Sequence, residues 1–427
     1  MQSIDEVSAS PADFAVDPSR DFTRSRKLNF KNTIHTMLTM EGDCIQEELY
    51  TFFGRNDNTA TAAAFCKQRQ KLSDSAFPTL FRLFNSKLPV SLYKGKYHLI
   101  ACDGTKAEIF RNPNDPLTFF EPSKASSRGF NQIYITAMYS ILDKRFVDMA
   151  IQPGRTMNEY VAFCCMVDAA GKSDSPTIYF GDMGYASYNN FAHVIENDQY
   201  FLIRANDRML TSILGEPSDD LREMDRHVDL ILSKSKAVKN WAAPEPGTRY
   251  KQLSGCSLFE FFDEDHPLYR MSLRVIRFEI QNGVFENIIT NLPDFDFDFD
   301  DFKELYFLRW NEELGYRDIK HRLCHTEFHS KRYRHIVQEV WARAILYNFS
   351  TAVISGVVVD KAETAHRYQV NFAEAFKTCR EFLRSRVAKP VMDVASLIAR
   401  HIEPIRPGRS FARQHRVKHP FSFWYRK

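Results

Sequence analysis

The sequence is poor in the features that mark membrane, secreted and cysteine-rich proteins. It has no run of about 18 apolar residues, which argues against a transmembrane helix. Its first residues contain no basic stretch followed by an apolar block, so no secretory signal is expected. The eight cysteines are scattered without a Cys-x2-Cys pair, which argues against a disulfide framework or a cysteine-rich zinc site and favours a reducing cytosol. No internal repeat of fixed period is present.

The composition that remains is typical of a globular protein with two or three domains. The chain has 427 residues, of which 44% are hydrophobic and 26% are charged, so it can bury a substantial core. Its charge is uneven: residues 377–427 carry 13 Lys/Arg and three acids, a net +10, and the overall +3 therefore leaves −7 for the rest. A basic end favours a polyanionic partner such as nucleic acid, the alternative being a solvated helix with a frayed tail.

The pattern along the chain predicts six parts. They are a disordered lead-in (1–22), a helical DNA-binding domain (23–90), the first part of an α/β core (91–204), a β-rich insertion (205–292), the second part of the core (293–375) and a basic C-terminal region (376–427). The Asn282-Gly283 dipeptide predicts a two-residue hairpin inside the insertion.

The third helix predicted in the N-terminal domain is a candidate for reading DNA. The segment TAAAFCKQRQKL carries Lys67, Arg69 and Lys71 beside a small apolar face, with Thr59 or Thr61 as the expected N-cap. A plain surface helix fits this segment equally well.

The α/β core is expected to begin with a strand that carries an aspartate. Apolar residues alternate in KYHLIACDGT, which holds Asp103, and a hairpin turning at Asp143-Lys144 follows. A helix, a short apolar strand ending at Asp182, another helix and a last strand ending near Arg204 come next. This succession is that of a ribonuclease-H-like core. Arg204 is interpreted either as a DNA contact or as a cap of the sheet.

The segment YFLRWNEELGYRDIK after the insertion combines a phenol, two cations and a carboxylate on one side of a helix. At 100° per residue, Tyr306, Arg309, Glu313 and Lys320 fall within a stripe of about 60°. Phe307 lies on an adjacent apolar face that is expected to hold the helix against a core. The run of acidic residues just before this segment places negative charge at the N-terminal end of the helix, where the helix dipole stabilises it. An amphipathic helix with incidental ion pairs is the plain alternative.

Asp103, Asp182 and Glu313 together predict a metal-dependent catalytic site. The first and fourth strands of a ribonuclease-H-like sheet are neighbours, so both aspartates meet at one edge, and the later helix can bring Glu313 to the same point. Three clustered carboxylates repel one another unless they are protonated or bridged by cations. Oxygen ligands with open positions suit Mg²⁺ or Mn²⁺. Two such ions about 4 Å apart stabilise the attacking and leaving oxygens of a phosphodiester displacement.

The residues beside Glu313 are expected to hold DNA. Arg309 can bind a phosphate bidentately and Lys320 can bind one as a point charge. Tyr306 can donate its hydroxyl to a phosphate or stack on a base.

These motifs resemble the bacterial DDE transposases of insertion-sequence family four, whose hallmark is a Tyr-x2-Arg-x3-Glu-x6-Lys signature. The signature runs here from Tyr306 to Lys320, Asp103 stands in CDGTK, and Asp182 stands in GDMGYAS. The similarity extends from about Phe22 to about Arg413. It implies an α/β fold: a ribonuclease-H-like core interrupted by a β-rich insertion, with helical N-terminal and basic C-terminal regions.

The resemblance also implies an activity and its requirements. The expected reaction is metal-dependent cleavage at insertion-sequence ends, followed by attack of the freed 3′-hydroxyl on target DNA. The expected cofactor is Mg²⁺, with Mn²⁺ as a substitute and two ions per site. The expected partners are double-stranded DNA, first the terminal inverted repeats and then the target, and a second copy of the chain in a synaptic homodimer. The expected location is the bacterial cytoplasm, at the nucleoid when DNA is bound.

Two other functions and one other metal site fit parts of the sequence. A DNA-binding relative without catalysis or a simple metal-dependent nuclease would share several of these motifs. His321, Cys324, His325 and His329 have helical spacing and could bind zinc, although histidines can equally contact DNA phosphates.

Overall fold

The computed structural model describes residues 1–24, 26–123, 126–216, 222–234, 247–281, 283–310, 328–359, 368–384 and 393–405. Over these ranges, none of the helices combines the length and the apolar character that crossing a membrane requires.

Five helices precede the first strand, and strands and helices are mixed through the rest of the described chain. Its helices are α1 (Gln2–Ala9), α2 (Phe30–Thr39), α3 (Ile45–Phe53), α4 (Ala62–Arg69), α5 (Ala76–Asn85), α6 (Glu159–Ala170), α7 (Tyr188–Glu196), α8 (Asp207–Leu214), α9 (Phe299–Trp310), α10 (Tyr333–Ser355), α11 (Phe372–Arg384) and α12 (Val394–Ala399). Its strands are β1 (His98–Ile109), β2 (Phe119–Phe120), β3 (Phe130–Ser140), β4 (Arg145–Pro153), β5 (Thr177–Gly181), β6 (Tyr200–Ala205), β7 (Met224–Ser233), β8 (Thr248–Gln252), β9 (Leu268–Gln281), β10 (Val284–Thr290), β11 (Tyr368–Val370) and β12 (Ile402–Pro404).

A large mixed sheet organises the molecule. Its strand order is β2-β3-β1-β5-β6-β10-β9-β7-β8, and β4 also pairs with β3. Strand β1 is antiparallel to β3 and parallel to β5, the fourth of the long strands, so the neighbours expected from the sequence do lie side by side. Strand β10 pairs with β6. The strands of the predicted insertion therefore extend the same sheet as the core.

The first part of strand β1, residues 99–102, is buried on both faces, because helices or loops cover both sides of the sheet there. Leu99 and Ala101 face one apolar cluster, which also contains α9 residues, whereas Ile100 and Cys102 face another, which contains residues of α6 and α7. This burial fixes the register of the strand and therefore the position of the residues that follow it.

The N-terminal helices pack onto the sheet and onto α10. The four helices predicted within residues 23–90 are present, and Thr61 caps α4 by accepting a hydrogen bond from the Ala64 N–H at 3.2 Å. The lead-in differs from the predicted disorder, because Ile4 and Val7 of α1 are buried in a cluster shared with α5 and α10. An amphipathic face on α1 explains this packing.

Helix α9 turns a different face to the core than the sequence predicts. Phe302, Leu305 and Tyr306 are buried, whereas Phe307 is 51% exposed. The prediction for Phe307 is therefore wrong: the helix packs along its 302–305–306 ridge, which is also a helical stripe and contacts β9. The acidic run does lead into this helix, with Asp300 and Asp301 in its first turn.

The predicted hairpin between β9 and β10 is confirmed. Gln281 pairs with Val284 across two intervening residues, and Gly283 has a φ of +79°, which a glycine adopts without strain.

Candidate active site

Asp103 and Asp182 lie level with each other at one edge of the sheet. Ala101 of β1 pairs with Phe180 of β5 in parallel register, and each aspartate lies two residues further along its own strand direction. Since neighbouring strands lie about 4.8 Å apart, this register brings both carboxylates to the same place.

Backbone amides hold each aspartate in position. Oδ1 of Asp103 accepts a hydrogen bond from the Gly104 N–H at 2.7 Å. Oδ1 of Asp182 accepts one from the Gly184 N–H at 2.8 Å, because Asp182 caps the short 3-10 helix Met183–Tyr185. A carboxylate has about four acceptor positions, so both groups retain oxygens for a further ligand.

The electrostatics of this edge favour a bound cation. The pKa of Asp103 is raised to about 6, first by burial and then by the negative charges of Asp182 and Glu159, while the Gly104 amide and the positive charge of Arg309 act in the opposite direction. A divalent cation would relieve the repulsion between these carboxylates, and oxygen donors are the ligands that Mg²⁺ and Mn²⁺ prefer. The residues present therefore fit a hard divalent metal ion.

Glu159 is a third acid at this edge, and sequence reasoning gave it no role. It stands in the first turn of α6, and its Oε1 accepts a hydrogen bond from the Tyr185 hydroxyl at 2.5 Å. The Tyr134 hydroxyl is a second partner of this carboxylate. A methyl group on Gly104 would overlap both Tyr134 and Glu159, which shows how closely they approach β1. The sequence feature that could have pointed to Glu159 is an acidic residue at the start of the helix that follows the core hairpin.

Glu159 does not complete a compact three-carboxylate cluster. Its charge acts on Asp103, but among the described residues the oxygens of Asp103, Asp182 and Glu159 do not all lie within 4.8 Å of one another. The predicted third ligand, Glu313, lies outside the described residues, as does Lys320.

Helix α9 acts on this edge through Arg309, whose positive charge opposes the rise in the pKa of Asp103. Tyr306, by contrast, is buried, and its hydroxyl faces Glu286. Burial and the charge of Glu286 raise the pKa of Tyr306. Its hydroxyl is therefore engaged within the protein, unlike the phosphate or base contact that the sequence predicts.

Arg204 forms a bidentate ion pair with Glu286. Its Nε donates to Oε2 at 2.5 Å and its Nη2 donates to Oε1. The guanidinium carbon lies 6.0 Å from the centre of the Tyr306 ring. Of the two interpretations of Arg204, the structural one is supported, because the guanidinium joins β6 to β10.

Among the three basic residues of the α4 region, Arg69 is placed differently from the prediction. It is 1% exposed, its Nη1 lies 2.7 Å from Glu339 Oε1, and its Nε donates to Gln338 at 3.0 Å. The prediction of a DNA contact is wrong for Arg69, because its guanidinium is enclosed by α10. Lys67 is exposed, and Lys71 lies 3.3 Å from a carboxylate oxygen of Asp21.

His329 belongs to the same buried network. Its Nδ1 lies 3.1 Å from Glu339 Oε2, and its Nε2 lies 3.5 Å from Glu48. These contacts give His329 a structural role; the other members of the histidine cluster, residues 321–325, lie outside the described residues.

The comparisons with known proteins assign the family. Residues 94–349, which are more than half of the chain, match the family described as Transposase DDE domain, and the chain belongs to that family. Among solved structures, it is similar to the piggyBac transposase in the cryo-EM structure of its synaptic complex with hairpin DNA. That match has 11% sequence identity and a TM-score of 0.40, and covers 96% of this chain and 82% of the other. No curated protein matches the chain.

Proposed function

We propose that this protein is a DNA transposase of insertion-sequence family four. It cuts double-stranded DNA at the inverted repeats of its element and joins the resulting 3′ ends to target DNA. The observation that carries the proposal is the level placement of Asp103 and Asp182 on adjacent parallel strands, with the pKa of Asp103 raised to about 6. The strand order β4-β3-β1-β5-β6 supports the assignment of a ribonuclease-H-like core.

The proposed metal ligands are Asp103, Asp182 and Glu313. Two Mg²⁺ ions, or Mn²⁺ in their place, would supply charge stabilisation to the attacking and leaving oxygens of an in-line displacement. The backbone amides of Gly104 and Gly184 orient the two aspartates before any ion binds. This preorganisation reduces the rearrangement that the reaction requires.

Basic residues around this edge are proposed to hold the DNA. Arg309 lies close enough to act on Asp103 and can bind a phosphate oxygen at the same edge. Lys320 is proposed as a second phosphate contact, and the exposed Lys67 and the half-buried Lys71 as contacts outside the site. Tyr306 is proposed to hold the Arg204–Glu286 pair in position. Coupled cutting of two ends implies a homodimer on DNA.

The raised pKa of Asp103 favours an enzyme over a DNA-binding relative without catalysis. A protein that only binds DNA gains nothing from acids that repel one another and the phosphate backbone. A metal-dependent nuclease would use the same acids, so the two enzymes differ in the joining step.

The test is a cleavage and joining assay on DNA that carries the element's ends. Wild-type protein is expected to cut at the end and to join it to a second duplex with Mg²⁺ or Mn²⁺, and to do neither with EDTA. Asp103→Asn, Asp182→Asn and Glu313→Gln are each expected to lower cleavage by more than about 100-fold, since even the partners of metal ligands contribute 10- to 100-fold.

Asp198→Asn is the matched control, because Asp198 forms a surface pair with Lys172 in which both side chains are 69% exposed. It is expected to keep full activity. Normal cleavage by the Asp103 or Asp182 variant would contradict the metal site. Cutting of any duplex without end specificity or joining would instead identify a nuclease.

A further inference from the structure

A second group of metal-ligating side chains lies away from the proposed catalytic carboxylates. Cys164 of α6, His193 of α7 and Glu260, in the segment between β8 and β9, each offer one ligand atom, and these atoms all lie within 4.8 Å of one another. Cys164 is 4% exposed and His193 is 8% exposed. Glu260 approaches them from the solvent side.

The histidine of this group is oriented by a carboxylate. Nδ1 of His193 lies 3.0 Å from both oxygens of Asp168, which stands one helical turn after Cys164 on α6. Nε2 of His193 points to Glu260 Oε2 at 2.8 Å. A carboxylate on one ring nitrogen and further ligands around the other is the arrangement that orients metal-binding histidines.

The Glu260 segment is fixed in place by Asn189 of α7, a buried residue. The Asn189 Nδ2 donates to Glu260 Oε2 at 2.9 Å, and the Glu260 N–H donates to Asn189 Oδ1 at 2.9 Å. The side chain of Asn189 is also 3.7 Å from the Cys164 sulfur. The Glu260 segment is therefore held beside His193 by a specific pair of hydrogen bonds, while the Cys164 thiol donates separately to Asn190 Oδ1 at 3.4 Å.

The donor types select the metal. A thiol, an imidazole and a carboxylate form a mixed set that suits Zn²⁺, which takes Cys, His and Glu ligands, and they do not suit Mg²⁺, which prefers oxygen. Binding of a Zn²⁺ ion would displace the proton of the Cys164 thiol, and the negative charges of Glu260 and Asp168 lie beside it to balance the charge of the ion.

We propose that Cys164, His193 and Glu260 bind one Zn²⁺ ion, with Asp168 orienting His193 and a water in the fourth position. The ion ties the segment between β8 and β9 to helices α6 and α7. The site does not depend on the proposed cleavage activity. The competing arrangement is metal-free: the two ring nitrogens of His193 bridge Asp168 and Glu260 by hydrogen bonds while the thiol takes no part.

Zinc content and cobalt spectroscopy of the full-length protein distinguish the two arrangements. Protein purified without chelator is expected to carry one zinc per chain, measured by elemental analysis. After removal of zinc, Co²⁺ is expected to bind with a thiolate-to-cobalt charge-transfer band and intense visible bands of a tetrahedral ion. Asp103→Asn combined with Asp182→Asn is expected to leave these signals unchanged, which separates this site from the proposed catalytic one.

Three variants locate the ion. Cys164→Ser is expected to abolish the charge-transfer band, whereas Cys165→Ser, which alters the exposed neighbouring cysteine, is expected to keep it. Glu260→Gln is expected to weaken Co²⁺ binding by at least tenfold, and this solvent-side change leaves the fold intact, as circular dichroism can verify. Absence of stoichiometric zinc and of the band in the wild type, or a band that survives both Cys164→Ser and Glu260→Gln, would overturn the proposal.

Discussion

Arg204 and Glu286 join the adjacent strands β6 and β10 through a bidentate ion pair. Their side chains are only 19% and 11% exposed, and Tyr306 packs beside the guanidinium. The pair lies next to the proposed active site, since the charge of Asp182 also acts on Arg204. Through Tyr306 the pair also contacts helix α9.

Loss of one partner of this pair is expected to destabilise the protein. Arg204→Met leaves the Glu286 carboxylate enclosed without its cation, and we expect the free energy of unfolding to fall by about 3–5 kcal/mol. The double variant Arg204→Met/Glu286→Leu should recover most of that loss, because no buried charge remains. Urea unfolding monitored by circular dichroism measures both effects.

A surface pair of the same types is the control for this measurement. Arg226 pairs with Glu216, and their side chains are 50% and 46% exposed. Arg226→Met is expected to change stability by no more than about 1 kcal/mol. Equal losses for the Arg204 and Arg226 variants would contradict the structural role of the buried pair.

The close approach at Gly104 predicts that a single methyl group is harmful there. In Gly104→Ala the added carbon would overlap the Tyr134 hydroxyl and the Glu159 carboxylate. We expect a stability loss of about 1–3 kcal/mol from overpacking, together with reduced cleavage. Gly42→Ala is the control, because nothing lies within 4 Å of a carbon added at Gly42. A harmless Gly104→Ala would show that Glu159 is not held against β1.

Substitutions at Arg69 and Lys67 are expected to have different effects, the first on stability and the second on DNA binding. Arg69→Met leaves Glu339 buried beneath α4 without its main cation, so the free energy of unfolding should fall by about 3–5 kcal/mol. Lys67→Met, on the exposed side of the same helix, should leave stability within about 0.5 kcal/mol. If α4 contacts DNA, Lys67→Met alone lowers the salt dependence of DNA binding, measured by fluorescence anisotropy. Unchanged stability in Arg69→Met would contradict the buried pair.

The buried His335 predicts a loss of stability in acid. Burial, and then the charges of Arg69, Arg332 and Arg334, lower its pKa from 6.5 to about 4, against the opposing charge of Glu339. Between these two values the unfolded chain binds more protons than the folded one, so stability falls as the pH drops through this interval.

His335→Gln is expected to flatten this part of the pH profile. The slope of the free energy of unfolding between pH 4 and 6.5 should decrease, as measured by urea unfolding at several pH values. The exposed His227→Gln is the control, because His227 forms only a surface pair with Asp294. Identical slopes for wild type and His335→Gln would refute the assignment.

Local patterns in the sequence were enough to predict the strands and helices that carry the two aspartates. Alternation in KYHLIACDGT and the strand before Asp182 are short-range signals, and the neighbour relation of β1 and β5 follows from the expected order. The orientation of α9 was not predictable in this way. Both Phe307 and Tyr306 lie on apolar stripes, and contact with β9 decides between them.

Contacts between distant parts of the chain determine the features that the sequence did not predict. A basic residue on a short helix usually faces water. No residue near Arg69 in the sequence indicates that its guanidinium pairs with Glu339, which lies 270 positions later. Cys164, His193 and Glu260 come from three separate elements, so no ligand spacing marks them. Glu159 follows the N-cap residue of α6 and has no sequence neighbour in β1. Only the folded chain brings it close to Gly104.

The distance in sequence between Arg69 and Glu339 also bears on translation and on modularity. Helix α4 is synthesised before α10, so the Arg69 guanidinium has no buried carboxylate to pair with until 270 further residues have been made. A fragment holding only the N-terminal helices would expose both this charge and the apolar surface that α10 covers. The N-terminal helices are therefore not expected to fold as an independent domain. Recombination that moved them without α10 would leave them incompletely folded.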